Sequence, residues 1–210
     1  MSVIDKLATT LNRRDEEPNI DLAKQIAAKN DKKAVQELID NLSNKSKDIQ
    51  HDCIKVLYEI GERKPALIVP YIKDLVALFK TKNNRLHWGA MHALDAITME
   101  EPKTIYSLLP KIITAAESGS VITKDHTVAI LIKLCSFKQY EEGAFTLLIE
   151  QLQNSLTNQL PMYAENAVPI VSEENKMIFI KTLTSRLDDI EKDTKRKRVE
   201  KVIKKMSGKK

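Results

Sequence analysis

The sequence predicts an all-α repeat protein, a solenoid of about five helical hairpins, and three observations predict it. Four consecutive windows of 37 residues, beginning at Lys45, Lys82, Gly119 and Leu156, carry apolar or small residues at the same offsets. Those offsets, 5, 9, 12, 13 and 16, trace one stripe of a helix, so each window opens with an amphipathic helix burying one face. Glycine and proline are few, aromatics are 5% of the chain, and Ala, Leu, Ile and Lys abound, the composition of helices joined by short connections. A period in this range means units that cover each other's apolar faces and contact only their neighbours.

The elements follow in order. Ile4, Leu7, Ala8 and Leu11 predict a short helix over 3–11. A polar break at 13–19 precedes a helix to about Lys29, capped by Asn19 or Asp21, and Asn30-Asp31 caps the next. Residues 9–44 thus form a degenerate first repeat, followed by repeats over 45–81, 82–118, 119–155 and 156–191. In the first full repeat the opening helix covers about 47–62, with Gly61 expected as its C-terminal cap, and Pro65 opens the second helix through Leu67, Ile68, Ile72, Leu75 and Phe79. The next two opening helices are expected at about 84–98 and 121–136, and the third window slips by about one residue in its second helix. In the fourth, Pro169 should kink or end the opening helix, and the second helix, about 174–190, offers Met177, Ile178, Ile180, Leu183, Leu187 and Ile190. A final basic helix, about 192–206, carries Val199, Val202, Ile203 and Met206 on one stripe and leads a tail to residue 210.

The stretches over 68–97 and 38–60 resemble HEAT repeats. The likeness is carried by Ile49, Cys53, Val56 and Leu57 and by Leu86, Ala90, Ala93 and Leu94, an aliphatic, a small residue and a paired aliphatic on one helix. The family often has Arg after that first aliphatic; Gln50 and His87 stand there in this chain. The resemblance implies a right-handed α-α superhelix over residues 1–191 with a basic cap over 192–210. It also implies that the opening helix of each hairpin lines a concave face.

Offsets 7, 11 and 14 point away from the buried stripe and collect His51, Lys55, Tyr58, Trp88, His92, Asp95 and Asp125. Trp and Tyr supply much contact energy at little entropic cost, so this strip is the expected binding face for a protein or peptide partner. Lys195, Arg196, Lys197, Arg198, Lys201, Lys204 and Lys205 form a second candidate surface, for nucleic acid or another anion. From Lys192 onward ten Lys or Arg face only Asp193 and Glu200, a net +8, so the preceding 191 residues sum to −3.

No enzyme motif emerges: no phosphate-cradling Gly-rich loop, nucleophile elbow or kinase signature is present. His87 and His92 lie about 140° apart around a helix, and no i, i+4 histidine pair exists, so no metal site is expected. Trp88, His92 and Asp95 invite comparison with HEAT-like DNA alkylpurine glycosylases, whose carboxylate and aromatic sit on a basic groove, but Lys55 alone stands for that basic lining. Nothing matches the acid–base or Cys-centred arrangement that a bilin-lyase-type HEAT protein would need. Catalytic residues, cofactor and metal are therefore all expected to be none. Cys53 and Cys135 fit reduced core thiols. The absence of a secretory leader and of any apolar run near the ~18 residues of a membrane span predicts a cytoplasmic protein.

Overall fold

Most positions at the five expected offsets are core positions, while Ile49, Val168 and Val171 are half-buried. The computed structural model describes residues 2–208, and among them are twelve α-helices and no strand. Residue 1 and the last two lysines of the basic tail lie outside the described residues. The chain divides into two compact units, Met1–Thr127 and Val128–Lys210.

The first unit holds α1 (Glu17–Lys29), α2 (Lys32–Asp40), α3 (Lys47–Arg63), α4 (Ile72–Ala77), α5 (Asn84–Ile97), α6 (Pro102–Ser107), α7 (Leu109–Ser118) and the start of α8 (Val121–Cys135). Helix α3 packs against α1 on one side and α5 on the other. Its Cys53, Val56, Leu57 and Ile60 are fully buried, as are Ala90, Ala93, Leu94 and Ile97 of α5, so the repeat columns are core columns. Each large aliphatic buried this way contributes about 1.5–3 kcal/mol, which outweighs the few tenths that separate most helix propensities.

That balance explains why the second-helix segments survive their prolines. Instead of one helix after Pro65, the chain forms 3-10 turns at Pro65–Leu67 and Val69–Tyr71, then the short α4 and a further turn at Leu78–Lys80. Pro70 removes a backbone donor and crowds the preceding turn, a cost of about 3 kcal/mol inside a helix. The fragments stay docked because Leu67, Ile68, Ile72 and Leu75 are buried. Pro110 divides the next segment into α6 and α7 in the same way.

Three further expectations are corrected. Residues 3–11 form only a 3-10 turn, Ile4–Lys6, because the amides that would propagate a helix bond elsewhere: Ala8 N donates to Asn19 Oδ1 (3.0 Å) and Thr9 N to Asp52 Oδ2 (2.8 Å). Helix α1 starts at Glu17 with Pro18 in its first turn, so Asn19 is not a cap; its fully buried side chain ties residue 8 to α3. Gly61 does not end α3, which continues to Arg63; it lies at a close approach to α5, where an added Cβ would come 3.1 Å from Ala96 Cβ. Asp31 does cap α2, accepting from Ala34 N at 3.0 Å.

The second unit takes α8 from Val128 onward, then α9 (Glu141–Asn154), α10 (Leu160–Ala167), α11 (Lys176–Ser185) and α12 (Asp193–Met206). Pro169 ends α10, and a 3-10 turn follows at Val168–Ile170. Helix α11 packs on α9 and α12, and α12 also packs on α10. The apolar face of α11 differs from the expected one: Met177 and Ile178 are 72% and 51% exposed, while Phe179, Thr182 and Leu183 are buried. Val199 and Val202 bury the expected stripe of α12. Burial pushes the thiols of Cys53 and Cys135 up to about 12, so both stay protonated, inert side chains of the core. No helix among the described residues is long and apolar enough to cross a membrane.

Candidate functional site

Helices α3, α5 and the first turns of α8 each contribute one ring to a stack. Tyr58 of α3 lies against His92 of α5 with ring centroids 4.2 Å apart and planes 18° apart. His92 lies in turn against His126 of α8 at 4.1 Å and 20°. Trp88, one helical turn before His92, tilts against Tyr58 at 5.9 Å and 43°. Lys55 Nζ sits 4.9 Å from the centre of the Tyr58 ring, and the Arg85 guanidinium 5.4 Å from that of Trp88. Cations over aromatic faces add attraction to an already packed row.

Carboxylates set the charge balance. Glu16 bridges Lys55 (3.1 Å) and Arg85, and Glu59 bridges Lys55 (2.8 Å) and Arg63. Burial disfavours the Lys55 ammonium, but Glu59, Tyr58 and Glu16 outweigh it and hold its pKa above the ordinary value. Burial also works against Glu16 and Glu59, yet their cationic partners keep both below the usual carboxylate range. His92 Nε2 meets Glu62 Oε1 at 2.9 Å, and His126 Nδ1 meets Asp95 Oδ2 at 2.8 Å.

Three of the expected binding residues are therefore not open to solvent. Lys55, Tyr58 and Asp95 are 7%, 4% and 6% exposed, although their offsets point away from the repeat's own core stripe. Neighbouring side chains cause this: Glu16 and Glu59 cover Lys55, Trp88 and His92 of α5 cover the Tyr58 ring, and His126 of α8 bonds Asp95. Gly89 lets α5 approach Ile54 of α3 closely. Trp88, His51, His92 and Asp125 are half-buried and form the accessible part of the row. His51 is engaged as well: its Nε2 lies 3.1 Å from the side-chain oxygen of Asn83, which caps α5. The Asn83 amide donates to Gln50 Oε1 at 2.9 Å, and the Gln50 amide donates to Asn44 O at 2.7 Å. Neutral amides thus join the start of α3 to that of α5 at Gln50, and His87 is buried against the Phe79 ring.

Glu16, Glu59, Glu62, Arg85 and His126 complete the site and were not among the expected residues. In the sequence His126 directly follows Asp125, and Arg85 stands three residues before Trp88. Among the described residues no cluster of three or more His, Cys, Asp or Glu is placed to hold a metal ion.

The row carries a pH signature. Burial, with His126 next, lowers the His92 pKa against the opposing pull of Glu62 and Asp95, and burial lowers that of His87. The unfolded chain, with histidines near 6.5, then binds protons that the folded chain refuses, so stability rises with pH across this range. Urea midpoints are expected to be flat above about pH 6.5 and to fall as pH drops below it, with His92→Gln flattening the slope. Loss at Glu16 and Glu59 begins only as pH falls below about 4.5, their ordinary value, so the two ranges separate. An unchanged slope in His92→Gln would remove His92 as its source.

On α12 most of the basic residues are already committed. Arg198 grips Glu165 through two bonds (2.9 and 2.6 Å), Arg196 meets Asp188 and Glu200, Lys197 meets Asp193, and Lys195 meets the carbonyl and side chain of Asn158. Lys201, Lys204 and Lys205 are exposed.

No family model matches this chain, and no curated protein matches it. Among solved structures it is similar to a crystal structure of an engineered protein from the Northeast Structural Genomics Consortium, at 18% identity and a TM-score of 0.58, over 98% of this chain and 100% of that one. That likeness concerns the fold alone: the chain is an all-α protein.

Proposed function

We propose that the chain is a HEAT-type helical solenoid that works as a non-enzymatic scaffold, holding a protein or peptide along the face built by α3, α5 and α8. The observation that carries this reading is the ring row of Trp88, Tyr58, His92 and His126, drawn from three successive first helices. Its members are held by packing and paired charges before any partner arrives, which lowers the entropy lost on binding. The half-buried Trp88 is of the type that dominates interface energies, and the buried Tyr58 holds it in place from behind. Arg85 Nε adds a buried donor with no acceptor among the described residues, next to the half-buried Trp88.

Chemistry on a nucleic acid draws less support. Lys55, Arg63 and Arg85 are all engaged by Glu16 or Glu59, so this face offers little free cationic charge for phosphates. Asp95 is buried and bonded to His126 rather than standing open beside Trp88. The exposed Lys201, Lys204 and Lys205 of α12 favour a secondary contact with an anionic partner.

Pull-down from native lysate with wild type and Trp88→Ala tests the scaffold reading. The expected result is loss of the recovered partner by at least tenfold, the consequence of about 2 kcal/mol at a central tryptophan, with helicity by circular dichroism intact. Wild-type capture by the variant would sink the proposal. Capture that disappears steeply with added salt and is restored only by nucleic acid would replace it with the nucleic-acid reading.

A further inference from the structure

Elsewhere in the first unit, the second-helix segments of two successive repeats enclose a groove of about 890 Å³. Helix α4 and the turn after it form one wall, and α6 and α7 form the other. Surface helices of a folded chain ordinarily turn polar residues outward. Here Val76, Phe79 and Leu108 stay half-buried along the trough, with Ile72 and Ala115 at its base. The two prolines that break these segments are what leave the trough open: α4 and α6 are only six residues long, and Pro110 itself lines the groove.

The polar lining has a definite bias. The hydroxyls of Thr104, Ser107 and Thr114 donate to Glu101 Oε2 (3.1 Å), Thr104 O (2.7 Å) and Pro110 O (2.9 Å), so their protons are used within the helices. The donors left facing the groove are the ammonium groups of Lys73, Lys80 and Lys111. No carboxylate lines the groove, and none of the three lysines makes an ion pair among the described residues. A trough that is apolar along its length and cationic at its rim is complementary to a molecule with an apolar body and an anionic end. Its volume lies in the range of about 300–1,000 Å³ typical of small-molecule sites. A peptide helix fits less well, because the ten residues of α7 span only about 15 Å, some three turns, and a helix that short is marginal in water.

We infer that this groove binds a free single-chain anionic amphiphile, an alkyl carboxylate whose chain lies along Val76, Phe79 and Leu108 and whose head meets Lys73, Lys80 or Lys111. Calorimetric titration of the intact protein with dodecanoate, below the concentration at which it forms micelles, tests this. One-to-one binding is expected, with acetate and dodecyltrimethylammonium failing to bind. The triple variant Lys73→Gln/Lys80→Gln/Lys111→Gln should bind about tenfold more weakly or worse, as expected when charge-assisted contacts are lost. These lysines are exposed, so the variant should keep its helicity and melting point. Trp88→Ala should bind dodecanoate as wild type does, which separates this groove from the ring row. Equal affinity for the cationic amphiphile, undiminished binding by the triple variant, or binding confined to anionic vesicles or to an acidic amphipathic peptide would each overturn the inference.

Discussion

Gly89→Val should lower stability by about 3 kcal/mol, at the upper end of what overpacking usually costs. A Cβ at this position would stand 2.6 Å from Ile54 Cγ1 and 3.3 Å from Ile54 Cγ2. Ile54 is fully buried in α3, and its Cγ1 is held near the backbone rather than at the end of a long flexible chain. Two effects compete in Gly89→Ala. Alanine improves helix propensity by about 1 kcal/mol, whereas the clash costs about 1–3 kcal/mol. The clash should win by about 1 kcal/mol, and valine, with two more methyl groups and a poorer propensity, should lose by more. Urea unfolding checks both values. A double-mutant cycle with Ile54→Ala checks the cause, because shortening Ile54 removes the obstructing atom and the two losses should then be less than additive. Full additivity would mean that α3 and α5 do not meet at Gly89.

The same substitution bears on the site. Gly89 lies between Trp88 and His92 on α5, and the Tyr58–His92 stack requires α3 and α5 to be close. Widening that contact should also weaken capture of a partner. A stability variant of similar cost far from the row, such as one in the second unit, should not do so at temperatures where both remain folded.

The buried columns were legible because a 37-residue period compares each position with three others, so Cys53, Ala90, Thr127 and Ala164 explain one another; all four are fully buried. The ring row was legible in part. Offsets within one helix identify which side chains leave its core stripe, but burial at Tyr58 and Asp95 is decided by how closely the next helix approaches. His126 joined the stack from a neighbouring offset because stacking depends on the rotation between α5 and α8, which no column records. Glu16 was out of reach altogether: it pairs with Arg85, 69 residues away, from a segment that belongs to no full window. Apolar spacing runs straight through Pro70 and Pro110, which interrupt the helices there. The packing that keeps Leu67, Ile68 and Ile72 buried also lets the backbone fragment without the segment leaving the core. The amide rung between Gln50 and Asn83 shows the same limit: both residues were in plain view, and only the placement of α5's cap against α3 brings them together.

Phe179→Ala should cost about 3–5 kcal/mol, the range for truncating a buried aromatic, and it discriminates between two faces of α11. Phe179 is fully buried, whereas Met177 and Ile178, the residues that apolar spacing favours, are largely exposed. The helix begins only at Lys176, so its first turn projects Met177 and Ile178 outward, and the face that packs on α9 and α12 starts at Phe179 and continues through Thr182 and Leu183. A buried threonine within that face breaks the apolar pattern and misdirects any reading based on hydrophobicity alone. For a chain of this length each kcal/mol moves the melting temperature by roughly 2–4 °C, so Phe179→Ala should lower it by about 10 °C. Met177→Ser should stay within about 0.5 kcal/mol of wild type, as exposed substitutions usually do. Thermal melts followed by circular dichroism on the two variants decide the matter. If Met177→Ser proved the more damaging, α11 would have to be rotated by well over a quarter turn, and the packing of α12 on it would fall with that change.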